Sequence, residues 1–333
     1  MQRISVIGAG SWGTTVASLA ARSVSTTLWA RRSELASAIN ETRENNDYVP
    51  GHRLPELLEA TSELETAVRD ADAVVIAVPS HGFRAVFKAA AATIRSGTPI
   101  VSLTKGIEQD TLATMTEVVA AEAPDHVSSR VGVLTGPNLA SEVIEGQPTA
   151  TVIAMRDADA ARSIQDVLMG PTFRVYTNDD VTGCELGGAL KNVMAIAAGM
   201  SDGLGFGDNS RATLITRALA ELTRLGVALG GRPATFAGLA GMGDLIATCS
   251  STRSRNHRVG VRLAEGRSLD EVVAEMRMVA EGIKTTKSVL GLAARAGIEM
   301  PIVEHVGQVL HDGLHPRDAV LSLMTREAKS ERS

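Results

Sequence analysis

The sequence predicts an α/β fold, with an N-terminal doubly wound parallel sheet followed by an all-α C-terminal domain. In the first half of the chain, short apolar and β-branched runs alternate with amphipathic helical stretches. This pattern is typical of parallel strands that helices cover on both faces. Beyond residue 180, long helical stretches such as 210–229 and 268–276 replace the strand-like runs.

Six runs in the first half predict the strands of a parallel sheet, and none of them alternates strictly between polar and apolar residues. In chain order they are RISVIG, TTLWA, AVVIAVP, PIVSLTKG, VGVLTGP and TATVIAM. The chain has 333 residues, which exceeds the size at which a single hydrophobic core usually stops growing. We therefore expect two domains, residues 1–180 and 181–327, that share a cleft.

The composition is that of an ordinary soluble protein, with 44% hydrophobic and 21% charged residues. A net charge of −5 argues against general nucleic-acid binding. Two cysteines, Cys184 and Cys249, are too few for a disulfide framework or a four-ligand metal site, and we expect both to be buried. The chain opens on a strand-like run and contains no apolar stretch long enough for a bilayer. We expect a cytoplasmic protein without stable membrane insertion.

A glycine pattern follows the first predicted strand. The run VIGAGSWG places Gly8, Gly10 and Gly13 in a GxGxxG spacing, directly before a helical stretch. In this context the first glycine permits a tight turn, the second lets the backbone approach a pyrophosphate, and the third permits close packing of helix on strand. The N-terminus of the helix favours an anion. The pattern predicts a Rossmann-type dinucleotide site.

Two arginines follow the second strand. A fold specific for NAD usually carries an acid there to bind the ribose hydroxyls, but this chain has Arg31 and Arg32. Guanidinium groups suit a 2′-phosphate through charge-assisted hydrogen bonds. We therefore expect NADP(H) to be preferred and NAD(H) to be an alternative cofactor, with the nearby Glu34 as an opposing charge.

Further candidate residues follow the later strands, because ligands in open parallel sheets lie beyond the carboxyl ends of the strands. Lys105 follows PIVSL, and Gly136, Asn138 and Ala140 follow VGVL. Together they offer one ammonium group and several backbone amides. We expect them to converge on an anionic substrate.

The second half offers a candidate phosphate site. Asp244 lies in a glycine-rich stretch, and Ser254, Arg255 and Asn256 begin a predicted helix that ends near Gly266. Free backbone amides, a hydroxyl, an amide and a guanidinium can all bind one anion there. Arg253 and Arg258 add positive charge, and Asp244 can orient a catalytic lysine.

Lys191 stands in the small-residue run GGALKNVMAIAAG, and its own helical face offers no carboxylate. Gly187 and Gly188, one turn earlier, remove bulk from that face, so we expect a ligand to pack there. Reduction of a ketone by hydride needs a proton donor at the carbonyl oxygen, and the reverse reaction needs a base. A lysine whose pKa is lowered by burial and by a nearby cation such as Lys105 can serve both directions.

With these motifs the chain resembles the bacterial NAD(P)-dependent glycerol-3-phosphate dehydrogenases over nearly its whole length. The stretches that carry the resemblance are GAGSWGTT, TKGIE, GPNLASE, ELGGALKNVMAIAAG, AGMGDLIATCSS, SRNHRVG and VAEGIKTT. The resemblance implies reversible reduction of dihydroxyacetone phosphate to sn-glycerol 3-phosphate, the backbone precursor of membrane phospholipids. It also implies a homodimer.

The resemblance further implies residue roles, with Lys191 as the proton acceptor in the oxidative direction. The implied substrate contacts are Lys105, Gly136, Asn138, Asp244, Ser254, Arg255 and Asn256. The implied cofactor contacts are Ser11, Trp12, Arg31, Arg32, Lys105, Ala140, Arg255, Val279 and Glu281. Two positions depart from the family's pattern, since Asn138 stands where Ser or Thr is frequent and His257 replaces an arginine after SRN.

Other functions remain as alternatives at this point. A β-hydroxyacid dehydrogenase of the phosphogluconate type also pairs a Rossmann half with a helical half and a lysine, although the serine-arginine cluster and TKGIE argue against it. A non-catalytic NADP-binding sensor would use Lys191 and Asp244 only structurally. A metal site at His311 and His315 is disfavoured by Gly313 and Pro316, which interrupt the helix that would pair them. We expect no metal, and Cys249 has no evident histidine partner for nucleophilic chemistry.

Overall fold

The computed structural model describes residues 1–276, 280–327 and 330. Within these residues the chain forms an eight-stranded sheet in the order β3-β2-β1-β4-β5-β6-β7-β8. The strands are β1 (Arg3–Ile7), β2 (Ser25–Trp29), β3 (Leu58–Thr61), β4 (Ala73–Ile76), β5 (Ile100–Ser102), β6 (Val131–Thr135), β7 (Thr149–Met155) and β8 (Phe173–Asn178). The strand order reverses between β1 and β4, and a cleft at the carboxyl ends is expected at such a switch point.

The helices accompany the sheet in the first half and form the second half almost alone, as the sequence predicted. They are α1 (Ser11–Ala20), α2 (Ser33–Thr42), α3 (Leu64–Val68), α4 (Ser80–Ala91), α5 (Met115–Glu122), α6 (Ala140–Ile144), α7 (Ala158–Leu168), α8 (Val181–Gly203), α9 (Asp208–Ala228), α10 (Pro233–Phe236), α11 (Asp244–Ser250), α12 (Arg255–Ala264), α13 (Leu269–Glu275), α14 (Glu281–Ala296), α15 (Pro301–His311) and α16 (Pro316–Met324). A 3₁₀ turn (Ser128–Arg130) precedes β6, and a π-helical turn (Leu239–Gly243) precedes α11. No described helix combines the length and the apolar character needed to cross a bilayer.

The sheet is not parallel throughout, and the sequence prediction was wrong at this point. The first six strands run parallel to their neighbours, but β7 is antiparallel to β6, with Leu134 opposite Ile153. The connection between them contains only the five-residue helix α6, whereas a parallel neighbour needs a crossover that runs the length of the strand. β8 follows β7 in parallel. β3 and β8, the two edge strands, were not among the six predicted strands, because neither carries a continuous apolar run.

The long helix α8 is buried along nearly its whole length, and its small residues explain how other helices surround it. A methyl group added at Gly199 would lie 1.9 Å from the carbonyl oxygen of His257, and one at Gly260 would lie 2.0 Å from that of Ile196. The backbones of α8 and α12 therefore touch directly, as small residues permit. This contact fixes the position of Lys191, which lies in the middle of α8.

Two carboxylates of the helical half bind it to the sheet half. Glu185 accepts hydrogen bonds from the backbone N and the hydroxyl of Thr116, at 2.9 and 2.6 Å. Glu281 accepts hydrogen bonds from the backbone N and the hydroxyl of Ser80, at 3.1 and 2.6 Å. Each acid thus caps the first turn of a helix in the sheet half, where the helix dipole favours negative charge.

A third buried acid lies within the helical half. Glu221 of α9 is 4% exposed, and its carboxylate accepts a hydrogen bond from the backbone N of Ile302 at the start of α15. Burial raises the pKa of Glu221 from 4.5 to about 7, even though this hydrogen bond and Arg224 oppose the shift. The neutral acid is therefore the form that the folded state prefers.

We predict that Glu221→Gln makes the protein less sensitive to pH. The folded-state pKa of the wild-type acid exceeds the unfolded value, so its favourable contribution is complete below pH 4.5 and is lost as the pH rises toward 7. The shift corresponds to about 3 kcal/mol of unfolding free energy. Urea unfolding at several pH values should show the variant gaining stability relative to wild type by this order across that interval.

Glu56→Gln is a matched control, because Glu56 is exposed and has no ion pair among the described residues. Its difference from wild type should be small and similar at every pH. A stability difference for Glu221→Gln that stays constant from pH 4.5 to 7.5 would contradict the assignment.

Candidate active site

A cleft of about 930 Å³ lies at the carboxyl ends of the strands, between the sheet and the helices of the second half. Both sets of predicted contact residues meet there. Those that line it are Gly8, Gly10, Ser11, Trp12, Gly13, Arg31, Arg32, Lys105, Asn138, Ala140, Lys191, Ser254, Arg255, Asn256 and Glu281. Gly136 and Asp244 lie behind this lining and bond to it through Lys105. Val279 is outside the described residues.

The glycine turn after β1 has the shape of a dinucleotide cradle. Gly8 has a φ of +117°, and a methyl group there would lie 2.6 Å from the carbonyl oxygen of Ala77. A methyl group at Gly13 would lie 1.9 Å from the carbonyl oxygen of Gly8. At Gly10 it would meet nothing within 4 Å, and Gly10 caps α1 without a side-chain hydrogen bond. The first turn of α1 therefore presents its backbone N–H groups to the cleft, which fits a pyrophosphate.

Two side chains of α1 complete this end of the cleft. Ser11 donates a hydrogen bond from its hydroxyl to the carbonyl oxygen of Tyr48, at 2.9 Å. The ring of Trp12 packs against Phe173, with ring centroids 6.4 Å apart. Its buried Nε1 has no hydrogen-bond partner within the described part of the chain. A buried donor of this kind is costly unless a ligand or water accepts from it.

The arginines after β2 differ in their surroundings. Arg32 precedes the first residue of α2 and donates to the carboxylate of Asp47, which lies in the loop after that helix. Arg31 is exposed and has no ion pair among the described residues. The acid that forms an ion pair with one of these arginines is thus Asp47, whereas the local sequence suggested only Glu34. No local signal identifies Asp47, because it reaches Arg32 only through the fold of the loop.

At the inner end of the cleft one carboxylate bridges two lysines. Asp244 accepts from the Nζ of Lys191 at 2.8 Å through Oδ1, and from the Nζ of Lys105 at 2.6 Å through Oδ2. Lys105 also donates to the carbonyl oxygen of Gly136 at 2.9 Å and to Oδ1 of Asn138 at 2.8 Å. The carboxylate that Lys191 lacks on its own helical face is therefore supplied by α11.

The first residues of α11 hold this arrangement. Asp244 is the first residue of the helix, and Thr248 follows one turn later on the same face. The hydroxyl of Thr248 accepts from the Nζ of Lys191 at 2.6 Å. Lys191 is thus fixed between two oxygens of one helix, and its ammonium group is oriented before any ligand arrives.

Burial sets the electrostatics of the cluster. The side chains of Asp244, Lys191 and Lys105 are 2%, 7% and 17% exposed. Burial lowers the pKa of Lys105 to about 8, although Asp244 opposes the change and Lys191 adds to it. Burial opposes ionisation of Asp244, but the two lysines outweigh it and hold the pKa of that carboxyl below its usual range. With both lysines protonated, the cluster carries a net positive charge, which suits a developing oxyanion.

The glycines before Lys191 have another role than the one predicted. A methyl group at Gly187 would lie 2.5 Å from the carbonyl oxygen of Ala240, in the π-helical turn. One at Gly188 would lie 2.6 Å from Oγ1 of Thr135 and 3.4 Å from Cγ of Lys105. The prediction that a ligand packs against this face was wrong, because other parts of the protein fill it. The glycines let the two lysines approach one acid.

The predicted phosphate residues lie at the start of α12. Ser254 caps the helix and accepts from the backbone N of His257 at 3.3 Å. Asn256 donates to Oδ1 of Asn192 and accepts from the backbone N of Gly282, each at 2.9 Å. Arg255 lies on the first turn and lines the cleft. Asn256 therefore joins α8, α12 and α14 through its amide, while Ser254 and Arg255 face the ligand space.

Asn192 is a cleft residue that the sequence analysis did not single out. Its Nδ2 donates to the backbone carbonyl of Lys105 at 2.8 Å, while its Oδ1 accepts from Asn256. It thereby couples the loop after β5 to α8 and α12. In the sequence, only its position directly after Lys191 indicates that Asn192 belongs to the cleft.

Glu281 and Ala140 occupy the walls of the cleft. Glu281 is engaged with Ser80, as described above, and also faces the cleft. Ala140 begins α6, and its carbonyl oxygen accepts from the hydroxyl of Thr15 in α1 at 3.4 Å. Both residues thus connect elements that surround the cleft.

The two departures from the family's pattern have separate environments. Asn138 receives the ammonium of Lys105 at its oxygen and donates from Nδ2 to Thr151 at 3.1 Å. His257 does not line the cleft. Its Nε2 lies 2.9 Å from Oδ2 of Asp202, which also accepts from Arg211. Of the two departures, only Asn138 therefore lines the cleft.

The residues considered for other chemistry are two cysteines and two histidines. Burial raises the pKa of both Cys184 and Cys249 to about 12, so neither is a thiolate at neutral pH. His311 ends α15, whereas His315 caps α16 and accepts from the backbone N of Arg317. Within the described residues, no three His, Cys, Asp or Glu side chains gather as a metal site.

We predict that Asp244→Asn destabilises the protein by about 3–5 kcal/mol at pH 7, since it leaves two buried ammonium groups without their carboxylate. The deficit should shrink as the pH rises toward 8 and stay constant above it. Without its counter-ion the Lys105 pKa falls further below 8, so the folded variant releases its proton at a lower pH than folded wild type does. Asp208→Asn breaks an exposed pair with Arg211 and should cost at most about 1 kcal/mol. Urea unfolding at several pH values checks both variants, and equal losses would contradict the assignment.

Comparison with known proteins agrees with this geometry. Residues 3–161 match the family model of the NAD-dependent glycerol-3-phosphate dehydrogenase N-terminus, and residues 180–321 match that of the C-terminus. The chain is 52% identical over 332 residues to a glycerol-3-phosphate dehydrogenase [NAD(P)+] of Geobacter sulfurreducens, covering 99% of each chain. It is 50% identical over 331 residues to one from Streptomyces coelicolor, covering 99% of this chain and 98% of that protein.

Solved structures give the same result. A crystal structure of glycerol-3-phosphate dehydrogenase from Coxiella burnetii superposes with a TM-score of 0.92 at 39% identity, over 98% of this chain and 99% of that one. A ketopantoate reductase from Ralstonia eutropha, at 16% identity and a TM-score of 0.59, covers 96% of this chain and 100% of its own and shares the fold alone. From the two family models and the full-length relatives it follows that the chain belongs to the NAD-dependent glycerol-3-phosphate dehydrogenase family.

Proposed function

We propose that this chain is an NAD(P)-dependent oxidoreductase that reduces dihydroxyacetone phosphate to sn-glycerol 3-phosphate, reversibly, and so supplies the backbone of glycerophospholipids. The observation that carries the proposal is the pair of lysines on one buried carboxylate, Asp244, at the inner end of a cleft with a dinucleotide turn. The full-length relatives at about half identity are named for this dehydrogenase activity. No observation favours the hydroxyacid dehydrogenase or the sensor.

The sheet half, residues 1–180, would hold the dinucleotide, and the helical half, residues 181–327, most of the substrate. Support comes from the open backbone at Gly10, the first turn of α1, and the unpartnered Nε1 of Trp12. The proposed cofactor site also includes Gly8, Gly13, Ser11, Arg31, Arg32, Lys105, Ala140, Arg255 and Glu281, together with Val279, which is outside the described residues. When bound there, a reduced nicotinamide supplies the hydride for the carbonyl carbon.

Lys191 is the proposed proton donor to the carbonyl oxygen, and the acceptor in the reverse direction. Asp244 and Thr248 hold its Nζ in one place, so the proton donor is already oriented before the reaction. Lys105 carries a second positive charge beside the developing oxyanion, and Asp244, Gly136 and Asn138 fix its Nζ. Together the two ammonium groups stabilise the negative charge that appears on the substrate oxygen.

The substrate phosphate is proposed to bind at the first turn of α12. Ser254 and Arg255 face the cleft there, and the helix N-terminus adds partial positive charge. Asn256 supports the site by joining the neighbouring helices. Arg255 supplies the charge-assisted hydrogen bonds that a phosphate forms most strongly.

Three further properties belong to the proposal. NADP(H) would be preferred over NAD(H), supported by the exposed and unpaired guanidinium of Arg31 among the described residues. The protein would act as a cytoplasmic homodimer on a small phosphorylated substrate.

The reaction is tested by following the oxidation of NADPH by the purified protein with dihydroxyacetone phosphate. Parallel assays use NADH in place of NADPH and unphosphorylated dihydroxyacetone in place of the phosphate. Turnover that requires the phosphate supports it, and absence of turnover contradicts it.

We predict that Lys191→Met lowers kcat by about 100- to 10,000-fold, because the general acid is lost. The binding of NADPH should change little, since the proton donor acts on the substrate oxygen. The measurement is steady-state kinetics with a parallel cofactor titration. Lys88→Met is the control, because Lys88 is 73% exposed on α4. Near-normal turnover by Lys191→Met would contradict the assignment.

We predict that Arg255→Gln weakens use of the phosphorylated substrate. Loss of a hydrogen bond to a charged group costs about 1.5–3 kcal/mol, so kcat/KM for dihydroxyacetone phosphate should fall by about 10- to 150-fold. With NADPH saturating, the much lower efficiency with unphosphorylated dihydroxyacetone should not change. Arg262→Gln, on the same helix and paired with Glu265, is the control. An unchanged ratio between the two substrates would place the phosphate elsewhere.

A further inference from the structure

The loop between α2 and β3 brings an acid to the end of β2 that the local sequence lacks. The carboxylate of Asp47 accepts a hydrogen bond from the guanidinium of Arg32. The two side chains are 51% and 52% exposed, respectively, so the pair lies at the rim of the cleft. The pair neutralises one of the two positive charges that Arg31 and Arg32 would otherwise present together.

The position of this acid is fixed by its neighbours in the loop. Asn45 is fully buried, and its Nδ2 donates to the carbonyl oxygen of Ala9 at 3.0 Å and to the hydroxyl of Thr14 at 2.8 Å. The carbonyl oxygen of Tyr48 accepts from Ser11 at 2.9 Å. The loop is therefore bound to the glycine turn and to α1 on both sides of Asp47.

We propose that Asp47 is a specificity-determining residue, which reduces the preference for NADPH over NADH by holding Arg32 in an ion pair that a 2′-phosphate must displace. The inference rests on the proposed function in one respect, namely that the cleft binds a nicotinamide dinucleotide. It refines the preference that the two arginines alone predict.

The physical reason is competition for one guanidinium. A 2′-phosphate needs charge-assisted hydrogen bonds, but the guanidinium of Arg32 is already bound to a carboxylate that also repels the phosphate. A cofactor with a neutral 2′-hydroxyl neither has to displace this ion pair nor is repelled by the carboxylate. Arg31 keeps the site open to NADPH, because it has no ion pair in the described part of the chain. The preference for NADPH is therefore smaller than two free arginines would give.

The test is direct titration of NADPH and of NADH against Asp47→Asn and wild type at low ionic strength, followed by quenching of protein fluorescence. An exposed ion pair and one like-charge repulsion are each weak in water, so we expect the Kd of NADPH to fall by about 3- to 10-fold. The Kd of NADH should change by less than about twofold, since no interaction with it is altered.

Two further variants separate this mechanism from a general charge effect. Glu34→Gln removes the same charge from the first turn of α2, where Glu34 is exposed and has no ion pair among the described residues. It should leave the ratio of the two Kd values within about twofold of wild type. In an Arg32→Gln background, Asp47→Asn should lower the Kd of NADPH by less than it does in wild type, since only the like-charge repulsion remains once the guanidinium for which the acid competes is absent.

A Kd ratio unchanged by Asp47→Asn, or a gain for NADPH as large in the Arg32→Gln background as in wild type, would overturn the inference. An equal gain for both cofactors would overturn it as well. Because binding alone is measured, the result does not depend on turnover. A wild-type protein that binds both dinucleotides but does not reduce dihydroxyacetone phosphate would contradict the proposed function and leave this test intact.

Discussion

The ion pairs of Asp244 with Lys105 and Lys191 are the interaction on which the rest of the site depends. One buried carboxylate serves two ammonium groups, and removing charges from water in this way is favourable only with excellent geometry and further hydrogen bonds. Thr248, Gly136 and Asn138 provide those hydrogen bonds. Polar groups from both halves thereby contact one another in one small volume, and the inner end of the cleft carries a fixed positive charge.

The packing of the helical half serves this requirement. Three charged side chains can converge only if backbones approach closely, and glycines of α8 provide the space. Gly187 and Gly188 admit the π-helical turn and Lys105, while Gly199 admits α12. A helix so enclosed has little freedom to slide or rotate, because well-packed interiors resist small displacements. The precision of the polar cluster therefore follows from small apolar residues several ångströms away.

Local signals in the sequence were sufficient for part of this structure. The glycine turn, most strands of the sheet and the helices α9, α12 and α13 follow from spacing and periodicity, which depend on near neighbours along the chain. Lys191 and Asp244 were found because a charge in an apolar or glycine-rich run is unusual. The antiparallel β7, the packing role of Gly187 and the pair of Arg32 with Asp47 were not found. Each depends on a contact between segments that only the complete fold brings together.

The location of Asp244 has a consequence for recombination between members of the family. Lys105 belongs to the loop after β5, whereas Asp244 and Lys191 belong to helices of the second half. The helical half alone pairs Asp244 with Lys191, whereas the sheet half alone holds Lys105 without its carboxylate. A chimaera that joins the sheet half of one relative to the helical half of another must therefore preserve this loop and α11 as a matched pair. Recombination within the family is constrained at this contact more strongly than at the short connection between β8 and α8.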